Sequence, residues 1–497
     1  MFSFLVLGLA VSLFFGYRGH YFIATTFALV SFISALIFGK KDAYAFRFLY
    51  PGLITFLFFM VLPIVFTVYI GFTNLSTGHY LSQEQATQAL LQEKRLTDDS
   101  IIVSYRLHPI GKSRRDLKIL VNFPDQTFTA KINLDSSRKE YELLPIEEYP
   151  KTSPLDRAQI YKLSNELKDL TFIHSSSRLK YFRTTRLASF EKTYSLDSSS
   201  GNLRRFDGKV FTPDLEKGNF VHSESQESLL PGFFVKVGLD NFLYLFKNQE
   251  VRGPFWDIVK WTFSWGFFSV MLTFLFGMTL AIILNEKDMF AKKIYRTLFV
   301  IPYSIPFFIS VLIFRGMLNK DFGIINEVLG VFGITQNIAW LEVPILAKIS
   351  CLLVNLWLGF PYMFLVTTGI LQSIPSSIYE AARLDGSSTW NTFKRITLPL
   401  IMQAIGPILI GSFAFNLNNF IGIYLLTGGG PPIPGSTTPA GSTDILISYT
   451  YRLAFEGGQG QNFGLASSIS ILIFFAIAII TFINFRLSGF NKQEAKG

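Results

Sequence analysis

The chain has 497 residues; 49% are hydrophobic, 53 are phenylalanine and only 16% are charged, against roughly 25% in soluble domains, so an ordinary soluble globule is excluded. The net charge is +10, yet the basic residues form no single tract and much of the excess lies in loops between apolar runs, which argues against a nucleic-acid partner. A single cysteine, Cys351, rules out disulfides within the chain and paired-cysteine metal sites.

Eight apolar runs approach the roughly 20 residues that a bilayer helix needs: about 2–17, 21–39, 50–72, 256–284, 297–318, 345–371, 399–426 and 464–485. The first is short enough for a signal peptide. It lacks a basic start and a small-residue cleavage site, and a second run follows at once, so it reads as a span. Basic residues in the short loops set the orientation. Lys40, Lys41 and Arg47 follow run 2, Lys287, Lys292, Lys293 and Arg296 follow run 4, Arg383, Lys394 and Arg395 follow run 6, and Arg486, Lys492 and Lys496 follow run 8. The alternate loops hold only Arg18, then Arg315 and Lys320, then Arg452. Both termini are expected in the cytoplasm.

The division expected is spans over 1–72, a mixed α/β outer domain over 73–255, and spans 4–8 over 256–497. In the inserted domain, alternation predicts strands at 101–107, 117–133 and 208–212. Helices are expected at 82–95 and 155–169, and loops at the Ser-rich 175–177 and 195–200. Clusters such as Ile119–Phe123 demand a core, and the length suffices for an independent domain, so docking is favoured over a passive spacer. Gly111-Lys112-Ser113 imitates the end of a phosphate-binding loop, but Arg106 stands where the first glycine belongs. Asp321-Phe322-Gly323 has no accompanying kinase motif.

Run 6 contains Cys351, which reads as a small core residue. Its Asn355, Leu358, Gly359 and Tyr362 fall at i, i+3, i+4, i+7 and share one helical face, and Ser412, Phe415, Asn416 and Asn419 repeat that spacing in run 7. Amides donate and accept like sugar hydroxyls, aromatic rings cover the C–H faces of a pyranose, and a glycine lets a ligand near the backbone. With no charge on either face the ligand would be neutral. Buried asparagines also join helices in membrane bundles, and the spacing leaves both readings open.

Between these runs lies Glu380-Ala-Ala-Arg-Leu-Asp-Gly386, followed by Ile396-Thr-Leu-Pro399. Ser377 and Glu380 have capping-box spacing, Gly386 suits a left-handed helix end, and Ile374, Ile378, Ala381 and Ala382 share a face. That describes a short capped helix that could be offered to a partner or lie on the lipid surface. Runs 7 and 8 carry no charged residue or histidine, and runs 3 and 5 carry no acid. Ion-coupled carriers need such groups in the membrane, so the energy source is expected on another chain.

The Glu-Ala-Ala segment resembles the cytoplasmic coupling loop of bacterial ABC importer permeases at Glu380, Ala381, Ala382, Gly386, Ile396, Leu398 and Pro399. More of the chain resembles the larger permease subunits, the MalF type, of maltose/maltodextrin importers. The carrying segments are 41–47, 299–306, 357–362, 412–420, 426–431, 438–441 and 449–458. The resemblance covers nearly the whole chain and is weakest over 80–215 and at the N-terminus; Phe360 replaces the family's tyrosine. It implies a mostly α, polytopic membrane protein with eight spans, a type I ABC importer permease core and an outer domain after span 3. It implies that Asn355, Leu358, Gly359, Tyr362, Ser412, Phe415, Asn416 and Asn419 hold maltose. The implied partners are a second permease subunit (MalG type), an ATPase dimer (MalK type) that uses ATP and Mg, a periplasmic maltose-binding protein, and membrane lipid; this chain binds no cofactor and is no enzyme. A permease for another neutral oligosaccharide, an ion-coupled sugar carrier and a membrane sensor are the alternatives.

Overall fold

The protein is described by a computed structural model over residues 2–39, 44–110, 115–175, 177–197, 199–286, 289–334, 337–457 and 460–487. Of the residues discussed above, Lys40, Lys41, Lys287, Lys492, Lys496, Gly111-Lys112-Ser113, Ser176, Ser198 and the side chain of Arg486 lie outside the described residues. The first two apolar runs form α1 (Phe2–Tyr17) and α2 (Tyr21–Gly39). A three-residue turn joins them into a hairpin, with Gly19 at φ +80°. Run 3 forms α3 (Tyr44–Phe56) and α4 (Leu62–Gly71), joined by one wide turn over Leu57–Val61. Pro63 follows that turn and has no N–H to give the regular ladder, and the wider turn absorbs the missing bond.

The inserted compact unit is Gly78–Val235, tighter than the expected 73–255. Its flanks belong to the membrane unit because they close on themselves: Val237 N–H donates to Phe72 O at 2.9 Å, and Asn241 Nδ2 donates to Gly71 O and Thr73 O at 2.9 and 2.8 Å. The unit is rich in β structure. Helix α5 (Gln83–Gln92) starts from a complete Ser82/Gln85 capping box. Strand β1 (Lys94–Arg95) pairs with β10 (Glu191–Lys192).

Eight strands form one sheet: β2 (Ile102–Pro109), β3 (Asp116–Asn122), β4 (Thr127–Asn133), β5 (Glu140–Glu142), β6 (Leu144–Pro145), β7 (Thr171–His174), β8 (Ser177–Arg183) and β9 (Arg186–Ser189). Their order is β5-β7-β8-β9-β2-β3-β4-β6. The expected single strand 117–133 is a hairpin, because Pro124 interrupts it and Phe123 N–H closes on Gln126 O. The expected helix 155–169 breaks at Leu163 into α6 (Arg157–Lys162), capped by Asp156, and α7 (Ser164–Lys168). A second sheet follows the order β11 (Tyr194–Leu196), β12 (Leu203–Arg205), β13 (Val210–Asp214), β14 (Asn219–His222), β15 (Ser228–Leu229). The Ser-rich stretches are therefore only partly loop: Ser177 opens β8 and Ser195 sits in β11. One face of the large sheet packs Leu107, Ile119 and Leu179 on Ile160 and Leu167 of the short helices. The small sheet packs Phe211 and Phe220 on Ala86 and Leu90.

After α8 (Asp240–Lys247) the chain enters α9 (Gln249–Ile283), capped by Asn248, then α10 (Lys292–Ser304) and α11 (Phe307–Met317). The last two bend by 91° at a break before Pro306, so run 5 is a broken span. Next come α12 (Ile324–Val331), α13 (Pro344–Ser373), α14 (Ser376–Leu384) and α15 (Thr389–Thr392). A wide turn at Phe393–Thr397 leads into α16 (Leu398–Leu417), then α17 (Phe420–Thr427), α18 (Leu446–Phe455) and α19 (Phe463–Leu487). Helices stand on all eight apolar runs, but unequally: five reach a spanning length, the bent pair makes a sixth, and the helices on runs 1 and 2 have 16 and 19 residues.

Small residues set how closely the spans approach. A Cβ on Gly277 of α9 would meet Phe364 N at 2.7 Å and Phe360 O at 2.9 Å, so α9 and α13 cross backbone to backbone there. Cys351 is buried in the core between them, with Trp261, Trp265 and Val354. Some basic residues used for orientation also cap helices: Lys292 Nζ donates to Asn285 O and Glu286 O, and Arg296 Nη2 to Leu284 O. The carbonyls of Leu284, Asn285 and Glu286, just past the end of α9, thereby gain cationic partners at the negative end of the helix dipole.

Candidate functional site

The two polar faces meet, in part. Asn355 on α13 donates from Nδ2 to Asn416 Oδ1 on α16 at 3.2 Å. Asn416 Nδ2 donates to Ser412 O at 2.8 Å, and Trp265 Nε1 of α9 donates to Asn416 O at 3.0 Å. Asn355, Leu358, Asn416 and Asn419 are all buried. The cavity beside Asn355 and Leu358 has a volume of about 10 Å³, room for one water at most. In this conformation the Asn355 and Asn416 amides hold α13 and α16 together and face one another.

Two features differ from the expected faces. Run 7 does not continue as one helix through Asn419: α16 ends at Leu417, and Asn419 caps α17, its Oδ1 accepting from Gly422 N–H at 3.3 Å. The i+7 relation to Ser412 is therefore broken. Asparagine prefers a cap to a helix interior, because its side chain competes for nearby backbone groups, and that signal was available in the Asn418-Asn419 pair. Asn419 Nδ2 is buried and has no partner among the described residues. Gly359 admits the neighbouring helix, since a Cβ there would meet Thr273 Cγ2 of α9 at 2.8 Å. Phe415 and Tyr362 are the parts of the two faces left open, at 68% and 40% exposure. Ser412 is half-buried.

The Glu-Ala-Ala segment is a helix, α14, but Pro375 stands at its N-cap and no side-chain cap forms. The Ser377/Glu380 capping box does not occur, because the helix begins one residue before Ser377. Its other end is closed as the spacing predicts. Gly386 has φ +71°, its N–H donates to Arg383 O at 3.0 Å, and Ser387 N–H donates to Ala382 O at 2.9 Å, the paired closure of a Schellman end. Glu380 and Ala381 are exposed while Ala382 is buried. Ile396 belongs to the wide turn before α16; Leu398 and Pro399 open that helix. Trp390 and Leu384 project from the same connection at 68% and 89% exposure.

The later matching segments converge on one carboxylate. Asp444 is fully buried and receives Gly441 N–H at 2.8 Å, Ser448 Oγ at 2.8 Å and Arg452 Nη1 at 2.7 Å. Gly429 lies so close to Asp444 that no side chain fits there.

Comparison with known proteins decides the family. The model described as "Binding-protein-dependent transport system inner membrane component" matches residues 273–489, and "N-terminal of TM subunit in PBP-dependent ABC transporters" matches 54–131. The maltose/maltodextrin transport system permease protein MalF of Vibrio vulnificus is 35% identical over 492 residues, covering 96% of this chain and 91% of that protein. This chain belongs to the MalF family. The MalF of Klebsiella aerogenes is 36% identical over 481 residues, covering 94% and 92%. Among solved structures, a bacterial alginate ABC transporter in complex with alginate pentasaccharide-bound periplasmic protein matches with TM-score 0.43 and 23% identity, over 50% of this chain and 82% of that one. As a MalF-family chain the protein is a multi-pass membrane permease subunit of an ABC sugar importer and is not itself an enzyme. It works with a partner permease, an ATPase and a periplasmic binding protein.

Proposed function

We propose that this permease carries maltose/maltodextrin-type neutral oligosaccharides from periplasm to cytoplasm by alternating access. Its assembly contains a MalG-type second permease, a MalK-type ATPase dimer that uses ATP and Mg, and a periplasmic maltose-binding protein. Both termini lie in the cytoplasm and Gly78–Val235 lies in the periplasm, where it docks the binding protein.

The observation that carries the substrate class is the uncharged polar pair of Asn355 and Asn416, with Ser412 on the same helix as Asn416 and Asn419 at the cap of the next, on runs that also present the exposed rings of Phe415 and Tyr362. In this conformation Asn355 and Asn416 bond each other, and the buried Asn419 Nδ2 has no partner among the described residues. When the helices part, sugar hydroxyls replace the Asn355–Asn416 bond, so opening strands no buried polar group. Leu358 and Gly359 complete the lining. ATP binding closes the ATPases, which move α14 by way of Glu380, Ala381, Ala382 and Gly386, with Ile396, Leu398 and Pro399 transmitting the motion to α16.

Uptake of labelled sugars by vesicles holding the whole complex tests this. Maltodextrins should enter in an ATP-dependent way. Import of a different neutral oligosaccharide with exclusion of maltodextrins would reassign the substrate, and import driven by an ion gradient without ATP would overturn the mechanism.

A further inference from the structure

The register of the eight-stranded sheet assigns each side chain to one of two faces. Tyr105 lies opposite Val121 and Leu107 opposite Ile119, and these face the core. The other face follows from the alternate pairs: Arg106↔Leu120↔Thr129, His108↔Lys118↔Lys131, Ser104↔Arg186 and Ala188↔Lys180. Arg178 shares the parity of Lys180 on β8. Five adjacent strands, β8-β9-β2-β3-β4, thus place Arg178, Lys180, Arg186, Arg106, Lys118 and Lys131 on one side. Acids on the strands reach that side at its margins, as Glu140 and Glu142 on the edge strand β5 and Asp116 at the start of β3. The chain at 148–152 covers its Lys118–His108 corner, where Lys118 Nζ donates to Glu148 O at 2.8 Å and His108 Nδ1 lies 2.7 Å from Thr152 O, and Leu120 and Ala188 are buried on the same side.

The arrangement opposes the sheet's own stability. Lys118 and Lys131 are direct cross-strand partners, and so are Arg183 and Arg186; like charges directly opposite destabilise a ladder. Lys94 of β1 is held below its ordinary value by partial burial and by the neighbouring Lys180 and Lys192. Little inside the unit offsets this. One ion pair, Arg178–Glu140, lies on this face at its edge; the unit's others lie elsewhere, at Arg95–Glu191, Arg115–Asp135, Lys139–Asp169, Arg205 with Asp207 and Glu227, and Lys209–Glu227. Among the described residues Arg106, Lys118, Lys131, Lys180 and Arg186 enter no ion pair. Arg106, Lys131 and Arg186 are exposed.

We propose that this basic sheet face is the surface on which the periplasmic binding protein docks, by way of an acidic patch on that protein. The inference rests on the reading that Gly78–Val235 meets the binding protein, and adds which face does so and with what chemistry. A binding protein is the partner that the matched family requires, and an acidic surface is what an unneutralised basic one selects. Such a contact speeds encounter and fixes orientation, and it weakens as salt rises. The same charge could attract anionic lipid, so the test carries that arm.

The complete complex, in bilayer discs of zwitterionic lipid, is titrated with purified binding protein at low and at physiological salt. The variant is Arg106→Gln, Lys131→Gln, Lys180→Gln and Arg186→Gln together. Removing like charges should leave the melting temperature of the complex unchanged or higher, which separates lost docking from lost folding. The expected result is affinity weaker by about tenfold at low salt, with a flattened salt dependence. Unchanged affinity, while deletion of residues 90–235 abolishes binding, places the docking surface elsewhere on the domain and overturns the inference alone. Unchanged affinity in the deletion as well removes the docking role of the domain, and the inference falls with it. If the variant binds the protein normally but loses retention on vesicles of anionic lipid, the face takes lipid and the inference is wrong.

Discussion

Asn355 and Asn416, 61 positions apart in sequence, share one side-chain hydrogen bond of 3.2 Å that ties α13 to α16. Removing one partner strands the other. In Asn416→Ala the buried Asn355 Nδ2 loses its acceptor, a cost of roughly 1–3 kcal/mol. A fall in melting temperature of the purified complex is expected, together with transport slowed by about tenfold, since 1.4 kcal/mol is a factor of ten. A stability loss with unchanged uptake per complex would leave the bond as packing only.

Phe415 gives the complementary case. It is mostly exposed, so Phe415→Ala should change stability by no more than about 0.5 kcal/mol. Sugar uptake should nevertheless fall. Equal uptake by variant and parent would remove the ring from the site.

The close crossing of α9 and α13 predicts an order of damage. Gly277→Ala drives a methyl into the backbone of Phe360 and Phe364, whereas Gly359→Ala meets the methyl end of Thr273. Overpacking costs roughly 1–3 kcal/mol where the neighbour cannot yield. Thermal aggregation of the solubilised complex should show Gly277→Ala as the weaker of the two.

Glu380 is exposed on α14 and Gly386 holds the left-handed end. The double variant Glu380→Gln, Gly386→Ala should insert normally, with a helix-end penalty of roughly 1–2 kcal/mol for an alanine held left-handed. ATP hydrolysis should then proceed without matching sugar entry. Measured sugar per ATP equal to the parent's would detach this helix from coupling.

The Gly78–Val235 unit has its own two cores and a testable acid response. Arg205 hydrogen-bonds Asp207 and Glu227 and holds both carboxyls below their ordinary range, Asp207 at about 2; the hydroxyls of Ser199 and Ser200 hold Asp197 at about 2. A carboxyl depressed by folding adds stability above its unfolded value near 3.9, and that stability is lost as the pH falls through the folded value. The isolated unit should keep constant stability down to about pH 4 and lose it between about 4 and 2. Denaturant melts followed by circular dichroism would show this, and Glu227→Gln should flatten the slope. A parent curve without slope in that window would refute the assignment.

The number and place of the apolar runs, the closure of α14 at Gly386 and the need for a folded insert were all legible in the sequence, because each depends on local composition or on one residue's backbone freedom. The helical spacing of Asn355 and Asn416 was legible too, but whether they face a ligand or each other was not. Hydrogen bonds between residues 61 apart exist only after two helices cross at a particular height. The break at Asn418-Asn419 was legible as well, since it rests on a local cap, Asn419 Oδ1 accepting from Gly422 N–H. Gly359 read as room for a ligand until Thr273 filled that space, since which surface a glycine opens depends on its neighbour. In the insert, alternation located the strands, yet the basic face spanning five of them appears only when the register sets Lys118 against Lys131 and Ser104 against Arg186. Local sequence therefore determined the elements and their ends, and long-range pairing decided which side chains share a surface, because contacts distant in the chain are what the fold alone supplies.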